Sequence, residues 1–168
     1  MFTLMLHAGL RVGELTQLRL SDVRLSGEHT PFLRLNGKGG QERVVYLSST
    51  AAQLLDEYLR ERPQDDPDQI FLNYQGQPIS ITGIQRRLAH YCSRADIWLT
   101  CHQLRHTYAS RMVAADVPIT SVQKLLGHSS IYTTQLYVRV ADSKVERDYH
   151  AALARITKGS MPGREICP

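Results

Sequence analysis

Thr100-Cys101-His102-Gln103-Leu104-Arg105-His106-Thr107 is the stretch on which the reading of this chain turns. A threonine followed three residues later by glutamine is the signature of a reciprocally capped helix start, so a helix is expected here with Thr100 as its cap. His102 and Arg105 then fall in the first turn, three apart on one face. Unpaired backbone N–H groups and the positive end of the helix dipole already favour an anion there, and the expectation is a phosphate site. His102 and His106, four apart, also match two zinc ligands on a metalloprotease helix. That pattern requires a glutamate directly after the first histidine, position 103 is Gln, and no third ligand suggests itself. Taken alone, His102 would read equally well as a hydrogen-bonded histidine inside a core.

Moving outward, the same start grammar recurs at Thr50 with Gln53, Thr82 with Gln85, Thr120 with Gln123 and Ser143 with Glu146, each predicting a helix N-terminus. The second of these carries Ile84, Leu88 and Tyr91 at inward spacing. Near the start, Phe2, Leu4, Met5 and Leu6 predict a helix ended by Gly9, and Val12, Leu15 and Leu18 a second short helix with Arg11 at its start. Phe32 to Leu35 and Val44 to Leu47 are β-rich runs joined by a glycine-dense loop, an expected antiparallel hairpin with Lys38 on its turn. Ile70-Phe71-Leu72 reads as a further strand. The segment from Ser143 places Val145, Tyr149, Leu153 and Ile156 on one face of a terminal helix, before Gly159 and two prolines end regular structure. Residues 159–168 are expected to be a disordered tail. The pattern is α+β: a mainly α-helical domain with a small antiparallel β-sheet at one edge.

The chain is 168 residues long, enough for one domain with a real core and too short for two full ones. Its net charge of +4 and pI near 9.1 suit a polyanionic partner without demanding one. Of the 20 cationic residues 16 are arginine, the side chain whose planar fork grips phosphate oxygens in pairs, although a codon bias toward arginine would give the same count. Cys92, Cys101 and Cys167 are an odd set without zinc or disulfide spacing, which points to a reducing compartment. No apolar run is long enough to span a bilayer and no signal peptide is evident, so no membrane partner and a cytoplasmic setting are expected.

Two further stretches join the first. Leu125-Leu126-Gly127-His128-Ser129-Ser130, followed by Thr133-Thr134-Gln135-Leu136-Tyr137, resembles the closing signature of the tyrosine recombinase, or phage integrase, family, with His and Tyr nine residues apart. Ala8-Gly9-Leu10-Arg11-Val12-Gly13-Glu14-Leu15 is similar to that family's first arginine box, and Gly37-Lys38-Gly39 followed by Glu42-Arg43 to its hairpin lysine. The order Arg, Lys, His-x-x-Arg, His, Tyr runs from Arg11 to Tyr137, and agreement of six polar positions in order is a specific signal. The resemblance implies site-specific recombination of double-stranded DNA, by strand cleavage and rejoining through a 3′-phosphotyrosyl intermediate. No metal and no cofactor are implied. In that reaction Arg11 and Arg105, assisted by His102, would neutralise charge on the phosphate oxygens. Tyr137 would be the nucleophile, His102 its proton acceptor and His128 a hydrogen-bonding partner of phosphate or tyrosine, with Lys38 the general acid. The resemblance also implies a monomer or weak self-association alone, and a tetramer on DNA tied together through the C-terminal helix. Gln103 departs from the aspartate more usual there, a change the capping box tolerates. Only ten residues precede Arg11, so residues 1–158 are expected to be the catalytic domain, without the family's N-terminal DNA-binding domain and first catalytic helix. Two alternatives share parts of the pattern: a type IB topoisomerase, which relaxes DNA by the same chemistry, and a non-catalytic helix-turn-helix reader over Ile119 to Tyr137.

Overall fold

The computed structural model of the chain describes residues 1–27, 30–36, 42–63 and 67–127. Lys38, His128, Tyr137, the expected terminal helix and the expected tail lie outside them.

The first helix, α1 (Phe2–Ala8), buries Leu4, Met5 and Ala8 and stops at Gly9, whose φ of 68° is left-handed. Glycine is required there: a Cβ would stand 2.4 Å from Cδ1 of Tyr108. Leu10 is fully buried, Arg11 is extended, and α2 (Val12–Gln17) follows, so both short helices stand where the apolar spacing placed them. After a single 3-10 turn over Leu20–Asp22 comes β1 (Val23–Arg24), a strand the sequence did not announce, because two residues are too few for alternation to show. It pairs antiparallel with β2 (Phe32–Asn36), which pairs antiparallel with β3 (Glu42–Tyr46). Period-two alternation sends Leu33, Leu35 and Val45 into the core. The register sets Arg43 opposite Leu35, on that same inner face.

Four helices complete the described chain: α3 (Ser49–Glu61), α4 (Ile81–Arg94), α5 (Cys101–Ala114) and α6 (Ile119–Leu126). Only the α5 cap was placed correctly from the sequence: Thr100 Oγ1 accepts from the Gln103 N–H at 3.2 Å while Gln103 Oε1 accepts from the Thr100 N–H at 2.7 Å. The other three starts expected at Thr50, Thr82 and Thr120 each lie two residues earlier, at Ser48, Ser80 and Pro118. In two cases an upstream serine takes the role, Ser48 accepting from Ala51 N–H and Ser80 from Gly83 N–H. Gln53, freed from a capping part, bonds Glu57 one turn on. The α4 stripe is Ile84, Leu88 and Cys92 at four-four spacing, and this rotates Tyr91 outward to 53% exposure, against the inward position expected of it.

Ile70-Phe71-Leu72 is buried but is not a strand of the sheet; its surroundings hold only the isolated bridges Arg19 to Gln69 and Leu72 to Pro78. Its backbone bonds instead run to loop segments, Ile70 N–H donating to Leu18 O at 2.8 Å and Phe71 O accepting from Ile79 N–H at 2.9 Å, while the Ile70 carbonyl accepts from Tyr58 Oη at 3.1 Å and Arg62 Nε at 3.2 Å. Arg62, buried at the end of α3, also donates to the carbonyls of Pro63, Pro67 and Gln69 and so staples that segment down.

The fold class matches the expectation: helices dominate, with one three-stranded antiparallel sheet. Two apolar clusters share α5. Cys101 and Leu104 belong to the main core, whereas Tyr108, Ala109 and Val113 pack with Val122 and Leu126 of α6. Arg105 lies at the join between them. Among the described residues no helix is long and apolar enough to cross a membrane, and Cys92 and Cys101 are free, buried thiols.

Candidate active site

The site is built around a carboxylate that the sequence reading left without a role. Glu14 is the third residue of α2, so its side chain can turn back on the helix start, and its Oε2 accepts from the Arg11 N–H at 2.8 Å. Its Oε1 accepts from Arg11 Nη1 at 2.9 Å. From the sheet, Arg43 lays its fork across both oxygens, Nη1 to Oε1 at 2.8 Å and Nη2 to Oε2 at 2.9 Å. Arg105 Nη1 stands 3.8 Å from Oε2. Burial opposes ionisation of Glu14, but the hydrogen bonds from Arg43 and the Arg11 N–H, with the Arg43 charge, outweigh it and hold the carboxyl below its ordinary range.

The same three arginines meet a second feature, the C-terminal end of α6. A helix ends with unpaired carbonyls carrying the negative end of its dipole. Here three successive carbonyls each take a different arginine: Leu125 O accepts from Arg43 Nε at 3.1 Å, Leu126 O from Arg105 Nη2 at 2.6 Å and Gly127 O from Arg11 Nη2 at 2.9 Å. Arg105 also donates through Nη1 to Gly9 O at the end of α1. Gly127 closes α6 with φ 61°, and the next residue in the chain is His128.

Arg11 and Arg105, the two expected phosphate-binding arginines, are therefore brought together, but differently exposed. The Arg11 side chain is 42% exposed, the Arg105 side chain 6%. The Arg105 fork is directed at the backbone carbonyls of Gly9 and Leu126. His102 and Arg105 were expected to share one face of the first turn of α5; instead the helix buries the arginine and leaves His102 at the surface. There His102 Nε2 meets His106 Nε2 at 2.6 Å, the rings edge to face with centroids 4.2 Å apart. Burial, then the neighbouring His102 and Arg105, push the His106 pKa down. Among the described residues no group of three or more His, Cys, Asp or Glu could hold a metal, so the zinc reading of His102 and His106 has no third ligand there.

Sequence reasoning missed Glu14 and Arg43 as members of the site. A signal for Arg43 exists in the strand: counting by two from Val45 puts an arginine on the core face, which requires a partner.

A short α2 started by an arginine, a hairpin delivering a second, and a helix delivering a third onto one carboxylate define the site, and the family model described as the phage integrase family matches residues 1–144. The chain belongs to that family. It is 36% identical over 157 residues to tyrosine recombinase XerD of Staphylococcus saprophyticus, covering 89% of this chain and 52% of that protein. The chain thus spans about half the length of the curated relatives it matches. Among solved structures, XerA recombinase superposes with a TM-score of 0.76 at 29% identity, over 89% of this chain and 56% of that one. XerH site-specific recombinase bound to difH substrate in a pre-cleavage complex gives 0.71 at 26% identity, over 82% and 41%.

Proposed function

We propose that this chain carries the catalytic centre of a tyrosine site-specific recombinase, which cuts and rejoins double-stranded DNA through a covalent bond from Tyr137 to a 3′ phosphate. The observation that carries the reading is the convergence of Arg11, Arg43 and Arg105 on Glu14 and on the end of α6, directly before the chain reaches His128 and, nine residues later, Tyr137. The XerH relative, bound to its difH substrate, supports DNA as the partner.

In this reading Arg11 and Arg105 stabilise the charge that builds on the nonbridging oxygens as the phosphate becomes five-coordinate. The half-exposed Arg11 meets the phosphate first. His102, which contacts His106 through Nε2, takes the Tyr137 proton, and His128 hydrogen-bonds the phosphate or the tyrosine. As the Tyr137 oxygen bonds to phosphorus, the 5′ oxygen leaves and Lys38 protonates it. The phosphotyrosyl bond keeps the energy of the broken linkage, so a free 5′ hydroxyl of another strand reverses the step without ATP. The setting is cytoplasmic, with the DNA, and the unit on DNA is a tetramer joined through the segment from Ser143 to Ile156.

The test is Tyr137→Phe with a nicked suicide duplex, scored for covalent adducts on denaturing gels. Wild type forms adducts that survive denaturation, the variant forms none and still binds DNA, and added EDTA leaves the wild-type yield unchanged. Adducts in the Phe variant would place the nucleophile elsewhere, and an adduct that requires a divalent metal would refute the arginine-based mechanism.

A further inference from the structure

Arg43 is not among the six residues to which the recombinase reading gives a chemical role, yet each of its three guanidinium nitrogens donates a hydrogen bond within the centre. Its side chain is 11% exposed. One guanidinium spans two elements far apart in sequence: its fork holds both oxygens of Glu14 on α2, and its Nε holds the Leu125 carbonyl on α6. Its seat is shaped from the other side as well. A Cβ on Gly127 would stand 2.7 Å from Arg43 Nη1 and 3.0 Å from its Cδ, so the chain before His128 passes against the guanidinium at a distance only glycine allows. Along the sequence, Arg43 follows Lys38 by five residues on the returning strand of the hairpin. Arg11 is reached through the shared Oε1 of Glu14.

We propose that Arg43 is a positioning residue: it locks Glu14, and through it Arg11, to the end of α6, so that β3, the first arginine and the end of α6 keep one fixed spacing. The inference rests on the recombinase reading above. Catalytic groups must be held within a fraction of an ångström of their working positions, and a misplacement of about 1 Å costs about a hundredfold in rate. Lysine keeps the charge and can reach one oxygen of Glu14, but it cannot make two parallel bonds and a third at Nε. Arg43→Lys should therefore fold and lose part of the rate, whereas Arg43→Gln should lose nearly all of it.

The experiment uses the full chain as wild type, Arg43→Lys, Arg43→Gln and, as control, Arg60→Gln, which removes an exposed arginine paired with Asp56 on the surface of α3. The probe is a labelled pool of nicked duplexes of randomised sequence together with a nicked difH duplex. Single-turnover adduct formation, DNA affinity and thermal melting are measured for each protein. Expected are a rate about a hundredfold lower for Arg43→Gln, an intermediate rate for Arg43→Lys, affinities within about threefold of wild type, and an unchanged rate for Arg60→Gln. Should Arg43→Gln melt below the assay temperature, the folded Arg43→Lys protein decides the matter by its rate against its affinity. Wild-type rates in both Arg43 variants, or losses that vanish once corrected for the folded fraction, would overturn the inference and leave the recombinase reading intact. A wild-type chain that forms no adduct on either probe would overturn both.

Discussion

Replacing Glu14 by glutamine removes one charge and almost no volume, and its effect can be worked from the contacts. The carboxylate accepts four hydrogen bonds, two from Arg11 and two from Arg43. The Arg11 side chain is 42% exposed, so water and salt screen its pairing and little stability is lost on its account. Arg43 and Glu14 are both 11% exposed, and there the loss of one partner leaves a cation desolvated and uncompensated. Breaking such a pair from one side costs about 3–5 kcal/mol, and because glutamine retains one acceptor oxygen the lower end applies, about 3 kcal/mol. For a chain of this size that is a fall of about 6–12 °C in Tm. The effect has a pH signature. Against the cost of burial, Arg43 and the Arg11 N–H hold the folded carboxyl below its ordinary value of 4.5. Stability from a depressed carboxyl is fully present above the unfolded value and is lost as pH falls through the folded one. Urea and thermal unfolding of wild type and Glu14→Gln between pH 7 and pH 3 should therefore show the widest gap at neutral pH, narrowing below pH 4.5. Equal stability at pH 7, or a gap that stays constant as the carboxyl titrates, would refute the claim that this charge organises the three arginines.

Arg105→Lys should lower stability as well as any cleavage rate, by about 1–3 kcal/mol, because the buried fork ties Gly9 O and Leu126 O and an ammonium cannot serve both; an unchanged urea midpoint would contradict this. Gly9→Ala should cost more than about 2 kcal/mol, since its Cβ would enter the Tyr108 ring and its φ of 68° is unfavourable to alanine. The paired control, Gly13→Ala inside α2, meets nothing nearer than Ile81 Cδ1 at 4.0 Å and should raise stability by about 0.5–1 kcal/mol; melts that rank the two the other way would contradict both readings.

What the sequence made legible was local. Gly9 as a helix stop, Arg11 at the start of α2, the β2–β3 hairpin and the Thr100–Gln103 box each depend on interactions within a few residues, and each stands in the structure as read. The helix starts at Thr50, Thr82 and Thr120 went wrong by two residues because a hydroxyl three before a glutamine is a common pattern. Ser48 and Ser80, which lack that glutamine, cap equally well. The Ile70 segment reads as a strand because it is apolar and buried, while its backbone partners are Leu18 and Ile79, in loops that are not strands, and the Ile70 carbonyl's partners are side chains twelve and eight residues away, none of which local alternation records. Of the site, Arg11 and Arg105 could be named in advance from their motifs. The pairing of Arg43 with Glu14, and of Arg43 with the end of α6, depends on contacts 29 and 82 residues apart in sequence, which no local pattern records.

The end of α6 also determines what kind of electric field the centre presents. Carbonyl oxygens of Gly9, Leu125, Leu126 and Gly127 fix the directions of three guanidinium groups, and a carbonyl is a dipole, so it orients a cation without cancelling it. Had three carboxylates held the same arginines, the cluster would be as rigid and electrically silent. With Glu14 as the carboxylate they share, the ion pairs seen among the described residues set three cations against one anion, a surplus of two positive charges. Two of the cations are shielded from water, so the potential is weakly screened and emerges on the side of the half-exposed Arg11. An approaching anion meets a potential that is already oriented, and no dipole has to turn for it.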